Sequence, residues 1–196
     1  DRIGIIVFAG ESFIQCPLTV DKLVLKSLID EINIVSKEYD GTAIGMAIAN
    51  ATNRLRKSLV KSKVMVLLSD GSNNSGEIDP RTAAELALQY DIKIYTIGAG
   101  TNQAFTRIPG RGLIKNEIDE ETLKFIANKT GGKFFRATDI KALESIYNEI
   151  DTLERSEIEV KEYSNYTEIY IWILFPALIL GLFIEFYKRF FLRSMF

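Results

Sequence analysis

The chain of 196 residues contains no histidine, one cysteine, four prolines and one tryptophan. Without histidine it lacks the commonest general base and the commonest zinc ligand. A single cysteine, Cys16, rules out an intrachain disulfide. It sits in the apolar stretch Phe13-Ile-Gln-Cys-Pro-Leu18, which reads as core. No excess of one charge is present: the formal net charge is −2, which argues against nucleic acid as a partner. No internal repeat or low-complexity tract interrupts the chain. No phosphate-binding loop is complete. Gly98-Ala-Gly100-Thr-Asn-Gln103 follows an expected strand but lacks the third glycine of a dinucleotide-binding turn. No signal peptide opens the chain either. It passes from Asp1-Arg2 directly into Ile3-Gly-Ile-Ile-Val-Phe-Ala9, a buried-strand pattern, and this predicts a piece whose N-terminal portion is missing.

What is present alternates between strands and helices. Strands are expected at Ile3–Ala9, Phe13–Leu18, Val64–Leu68, Ile92–Gly98 and Lys133–Arg136. Thr19 or Asp21 can cap a helix carrying Leu25, Leu28, Ile29 and Ile32 at helical spacing. A second helix opens at Thr42, with Ile44, Ala47, Ile48, Ala51 and Leu55 on one face. Asp79-Pro80 reads as N-cap and first residue of a third, reaching about Tyr90. Asp119 starts a fourth that stops at Gly131-Gly132. There Glu120 and Glu121 form, with Asp119, an acidic start that the helix dipole favours. Thr138 or Asp139 caps a fifth. Residues 101–118, with Pro109-Gly-Arg-Gly112 at their centre, read as an inserted hairpin or extended loop. The pattern predicts an α/β, Rossmann-like, mostly parallel sheet with helices on both faces over residues 1–154.

The last forty residues differ in kind. Ile169–Ile184 is an unbroken apolar run. Carried to Tyr187 it would span ~28 Å as a helix, close to a hydrocarbon core of ~30 Å. Tyr166, Tyr170 and Trp172 mark one boundary and Phe186–Phe191 the other, as an aromatic belt would. A buried core helix containing Pro176 is the alternative. The expected organisation is a linker at 155–168, a transmembrane helix at 169–187 and a basic tail at 188–196. The tail carries Lys188, Arg189 and Arg193, so the positive-inside rule puts it in the cytoplasm and the domain in the periplasm. Asn50-Ala-Thr52, Asn73-Asn-Ser75, Asn128-Lys-Thr130 and Asn165-Tyr-Thr167 match an N-glycosylation pattern that a bacterial chain would not use.

Two polar turns interrupt this apolar framework: Asp40-Gly-Thr-Ala-Ile-Gly45 at a helix start, and Leu67-Leu-Ser-Asp-Gly71 at a strand end. Taken singly, Thr42 is a helix N-cap and Asp70 a turn-forming Asp-Gly. Together, in this order, they resemble the threonine and aspartate turns of the metal-ion-dependent adhesion site in the von Willebrand factor type A domain. Ile3–Ala9 resembles that family's second strand and Ile94–Gly100 its fifth. Thr130-Gly-Gly-Lys-Phe-Phe-Arg-Ala137 is similar to the sixth-strand region of Bat-type aerotolerance proteins, which place such a domain before a C-terminal membrane helix.

The resemblance implies Thr42 and Asp70 as metal ligands, direct or through water, for Mg²⁺ in the full-length protein. The family's leading Asp-x-Ser-x-Ser motif is absent. Asp70-Gly-Ser72-Asn-Asn-Ser75 has the residue types at the wrong spacing. Two side chains are too few for tight Mg²⁺ binding by this chain. The family's sheet order, 3-2-1-4-5-6, further implies a missing first strand between Ile3–Ala9 and Val64–Leu68, leaving either a slot or a direct pairing that closes it. The implied role is a non-enzymatic protein–protein interaction module at a bacterial inner membrane. Other envelope or Bat-type proteins are its expected partners, with a MoxR-type ATPase acting indirectly. A metal-independent structural anchor and a membrane-anchored nucleotide-dependent enzyme are the competing readings.

Overall fold

The computed structural model describes residues 2–33, 40–58, 60, 62–100, 105–108, 112–115, 118–163 and 170–191. Residues Pro109–Arg111, the linker residues 164–169 with Tyr166 and the Asn165 motif, and the tail 192–196 with Arg193 lie outside them. The chain divides into two compact units, Asp1–Leu153 and Glu154–Phe196.

In the first unit, β1 (Ile3–Phe8) pairs antiparallel with β2 (Ser12–Thr19) through the turn at Gly10-Glu11. α1 (Lys22–Asp30) follows, capped by Asp21, whose Oδ1 accepts from Leu23 N at 2.9 Å and Val24 N at 3.2 Å. After α2 (Ile44–Leu55), β3 (Lys63–Ser69) pairs in parallel with β4 (Ile92–Ala99). α3 (Pro80–Gln89) connects the two, with Asp79 as N-cap and Pro80 in its first turn. β5 (Phe105–Ile108) and β6 (Gly112–Lys115) form a separate antiparallel hairpin within the inserted segment. α4 (Glu120–Lys129), capped by Asp119, leads through Gly131, at φ 78°, into β7 (Phe134–Ala137). β7 pairs in parallel with the far edge of β4.

The alternation of side chains along β4 sorts the core into two layers. Ile92 and Ile94 pack with Leu67, with Ile44 and Ile48 of α2, with Ala83, Ala84 and Ala87 of α3, and with Leu123 and Ile126 of α4. Tyr95 and Ile97, on the opposite face, pack with Phe135, Ile146 and Ile150. The last two belong to α5 (Ile140–Tyr163), where Asp139 Oδ1 accepts from Ala142 N at 2.8 Å. Helices therefore lie on both faces of a parallel sheet. Cys16 is buried, as its apolar context requires.

Two expectations need correction. First, α2 does not open on Thr42: its N-cap is Ala43, whose side chain makes no capping bond. Second, α5 continues to Tyr163, past the division at Glu154. The run Glu154-Arg-Ser-Glu-Ile-Glu-Val-Lys-Glu-Tyr163 is made mostly of good helix formers, so polarity alone did not mark it as linker. α6 (Tyr170–Phe191) is a helix of 22 residues containing Pro176, and among the described residues no helix is long and apolar enough to cross a membrane.

The sheet is split where the family's order puts a further strand. Among the described residues β1–β2 and β3–β4–β7 are separate sheets, and β1 does not pair with β3. A cavity of about 1050 Å³ lies between them. The split leaves a signature in burial. β4, with a neighbour on each side, has Ile92, Ile94, Tyr95 and Ile97 all buried. β3 is equally apolar but has one neighbour, and its Val66 and Leu68 are 37% and 40% exposed.

Candidate metal-site remnant at the strand ends

The carboxyl ends of β1 and β3 meet at the start of α2. Ala43 N donates to Ala9 O at 2.7 Å, just past the end of β1. Gly71, just past β3, faces Thr42: a Cβ added there would lie 3.1 Å from Thr42 Oγ1. The Ser69 hydroxyl, in a buried residue, tightens this second turn by bonding Gly71 O at 3.2 Å. The fold thus brings together Thr42 and the Asp70-Gly71 turn from positions about thirty residues apart. Asp70 itself is exposed and Thr42 half-buried at one end of the cavity.

The geometry separates Thr42 from its bland role. A helix start leaves backbone N–H groups without intrahelical partners. Here those donors are satisfied from the β3–α3 loop. Asn73 Oδ1 accepts from Ile44 N at 2.8 Å, and Asn74 Oδ1 accepts from Thr42 N at 2.7 Å. In return, the Asn74 and Ser75 N–H groups donate to Thr42 O at 3.1 and 3.4 Å. Gly41, at φ 139°, makes this contact possible, since a Cβ there would sit 2.1 Å from Ser75 Oγ. The Thr42 hydroxyl is therefore no part of the cap. Gly41 belongs to the threonine turn quoted from sequence, whereas Asn73 and Asn74 belong to the site's framework and were given no part in it from sequence. The loop's Asn-Ser-Gly richness marks a turn but not the helix it caps. Ser75 Oγ donates to Asn74 Oδ1 at 3.0 Å, which ties the loop to the asparagine that accepts from Thr42 N.

Against Mg²⁺, the donor set is right in kind and short in number. A threonine hydroxyl and a carboxylate are hard oxygen ligands, and Mg²⁺ keeps several waters. Among the described residues, however, no group of three or more acidic, histidine or cysteine side chains converges anywhere. Thr42 and Asp70 by themselves do not make a dedicated Mg²⁺ site.

Residues 1–149 match the model of the von Willebrand factor type A domain. The chain belongs to this family. BatB from Bacteroides thetaiotaomicron is similar in structure, with 28% identity and a TM-score of 0.65 over 79% of this chain and 80% of that one. An aerotolerance-related membrane protein from Bacteroides fragilis is comparable, at 27% identity and TM-score 0.63 over 78% and 80%. The resemblance to Bat-type domains read from the motifs is thus found again in the folds. An uncharacterized protein of Borreliella burgdorferi is 29% identical over 202 residues, covering all of this chain but 59% of its own length. The chain accordingly spans little more than half of that relative.

A second polar cluster lies at the carboxyl end of β4 and β7, across the sheet from β3. Arg136 Nε donates to Gly100 O at 3.0 Å while its Nη1 pairs with Glu120 at 2.6 Å. Lys124 Nζ lies 2.8 Å from the other Glu120 oxygen. The Lys124 hydrogen bond, with the charges of Lys124 and Arg136, holds the Glu120 carboxyl below its ordinary value, against a smaller opposing effect of burial. Arg81 pairs with Glu121 at 2.9 Å and lies over the Phe125 ring. These pairs fasten α4 to α3 and to β7, and the acidic helix start serves structure.

Proposed function

We propose that this chain is the interaction module of a membrane-anchored Bat-type protein, binding an envelope partner through a divalent cation held at the Thr42–Asp70 end of the sheet. One observation carries the reading. The Thr42 hydroxyl lies against the Asp70-Gly71 turn, and Asn73, Asn74 and Ala9 do the capping that would otherwise account for it. The remaining cation ligands come from outside the residues seen here, from further chain or from an acidic group on the partner. Mg²⁺ fits the hard-oxygen chemistry of both residues.

The anchor is α6. Its described side chains from Trp172 to Ile184 include Ile173, Leu174, Phe175, Leu178 and Phe183, all more than half exposed, a surface that water disfavours and lipid accepts. The membrane is the bacterial inner membrane, with the basic end at Lys188 and Arg189 in the cytoplasm and the domain in the periplasm. A MoxR-type ATPase would then act only indirectly, through the tail or through other membrane partners.

The test is cation-dependent capture. Detergent-solubilised envelope is passed over the immobilised full-length protein in Mg²⁺ or in EDTA, with Asp70→Ala and Thr42→Val alongside. Retention of the same envelope protein in Mg²⁺ alone, reduced by both substitutions while the domain stays folded, supports the reading. Capture indifferent to EDTA and to both substitutions leaves a metal-independent anchor.

A further inference from the structure

We propose that the hairpin β5–β6 is a second arm of the binding face, taking an acidic and apolar segment of a protein partner beside the Asp70 turn. Its place in a binding face rests on the cation-dependent reading of the Thr42–Asp70 end; its own affinity for acidic chains does not. Three observations carry it.

The first is where the hairpin stands. It is inserted directly after β4, at the carboxyl ends of the strands. β3 and β4 run in parallel with Ser69 opposite Gly98. The next residues, Asp70 and Ala99, therefore leave neighbouring strands, which lie ~4.8 Å apart. Both line the same cavity. The stem of the hairpin starts beside the Asp70 turn.

The second is how the stem is held. Gly100, at φ 115°, donates from its N to Ala137 O at 2.8 Å, and its carbonyl accepts from Arg136 Nε at 3.0 Å. The returning chain meets it at Ile118. A Cβ added at Gly98 would lie 3.3 Å from Ile118 Cγ2, and one at Gly100 3.9 Å from Ile118 Cδ1. Ile118 O then accepts from Glu120 N at 2.8 Å as α4 begins. Arg136 also pairs with Glu120, so one cluster fixes both sides of the root. Strand-to-helix connections commonly take about two to six residues. Gly100 and Ile118 already lie together, so the residues between them are surplus to the connection.

The third is chemistry. Residues 101–116 contain Arg107, Arg111 and Lys115 and no acidic residue. The acids of the adjoining helix start do not answer these cations: Glu120 is engaged by Lys124 and Arg136, and Glu121 by Arg81. Among the described residues β5 and β6 pair with each other alone, Phe105 opposite Lys115 and Arg107 opposite Leu113. A two-stranded hairpin is marginally stable at best in water. Apolar residues make up half of this one, namely Phe105, Ile108, Leu113 and Ile114. Cover from a segment carrying apolar side chains and carboxylates suits both its composition and its charge. A cation at the neighbouring strand end selects the same sign of partner group.

The probe is a fluorescein-labelled peptide, Glu-Leu-Asp-Phe-Glu-Leu-Asp-Gly, read by fluorescence anisotropy against the full-length protein in nonionic detergent. In EDTA it should bind saturably, and its amide form, Gln-Leu-Asn-Phe-Gln-Leu-Asn-Gly, about tenfold more weakly. Arg107→Glu with Lys115→Glu should weaken the acidic peptide by about tenfold and take up Lys-Leu-Lys-Phe-Lys-Leu-Lys-Gly instead, a gain that misfolding cannot produce. Lys26→Glu with Lys141→Glu makes the same change of net charge at exposed positions elsewhere and should leave binding within about twofold. Mg²⁺ should tighten binding further, and Asp70→Ala should remove that increment alone. No Mg²⁺ effect, with the hairpin effect intact, defeats the cation reading and leaves the arm. Absence of saturable binding at millimolar probe, or equal loss in the two paired variants, overturns the arm. So does displacement of the peptide by phosphatidylglycerol added to the micelles, which would make the hairpin a lipid contact.

Discussion

Substituting the residues that start α2 separates a capping threonine from a ligand-bearing one. Asn73 Oδ1 accepts from Ile44 N at 2.8 Å in a half-buried setting, across 29 residues of sequence. Asn73→Ala removes this cap and leaves a partly shielded N–H without a partner. Loss of a side-chain cap costs about 1 kcal/mol, and the stranded donor moves the expectation to about 1.5 kcal/mol. For a domain of this size that lowers Tm by roughly 3–6 °C. Asn74→Ala, whose lost bond to Thr42 N is exposed and open to water, should cost about 0.5 kcal/mol. Thr42→Val is isosteric and removes a hydroxyl that caps nothing, so its effect should stay within about 0.5 kcal/mol.

Urea unfolding of the full chain in nonionic detergent, followed by far-ultraviolet circular dichroism, reads all three on one scale. Asn73→Asp is the internal control: it keeps the acceptor and adds negative charge at a helix N-terminus, worth about 0.3–1 kcal/mol in the stabilising direction. The ordering is what matters. If Thr42→Val lost as much as Asn73→Ala, the hydroxyl would be part of the helix start after all. Thr42 would then be accounted for by structure, and the case for a cation at this end of the sheet would fall with it.

Other substitutions probe the scaffold and its placement. Thr130 Oγ1 accepts from Ile94 N at 3.0 Å and donates to Ile126 O at 2.9 Å in the buried interior, so Thr130→Val should destabilise by about 1–3 kcal/mol in the same assay. The Glu120 carboxyl is held below its ordinary value in the folded domain by Lys124 and Arg136, so its contribution is present above the unfolded value and fades as pH falls through the folded one. Stability of Glu120→Gln should therefore fall less steeply than wild type between about pH 5 and pH 3, and parallel acid limbs would contradict this. A cysteine at Ser75 in a Cys16→Ser background should react with an impermeant maleimide in intact spheroplasts; protection until lysis would put the domain in the cytoplasm and make a MoxR-type ATPase a direct partner.

What could be read from sequence follows the range of the forces involved. Asp79-Pro80 and Asp119 marked helix starts because a cap bonds donors two or three residues away, as in the Asp79 bonds to Arg81 N and Thr82 N. The strand-end turn at Asp70 and its partner at Thr42 were legible as a pair through their resemblance to a known site. The asparagines that start α2 were not. Their bonds reach across 29 and 32 residues, and local preference assigned the cap to Thr42 because threonine is the usual residue there. The same locality hid the end of α5, where a polar composition suited a linker and a solvated helix equally well.

Burial in the sheet shows the converse case, in which sequence and structure differ because a neighbour decides the outcome. Lys63-Val-Met-Val-Leu-Leu and Ile92-Lys-Ile-Tyr-Thr-Ile carry nearly the same pattern, a lysine at one edge and near-continuous apolar residues. Both suit a parallel strand covered on two faces. β4 attains that burial because β3 and β7 flank it; β3 does not, because among the described residues β1 pairs with β2 alone and an open cavity intervenes. The composition of β3 is thus suited to more burial than these residues provide.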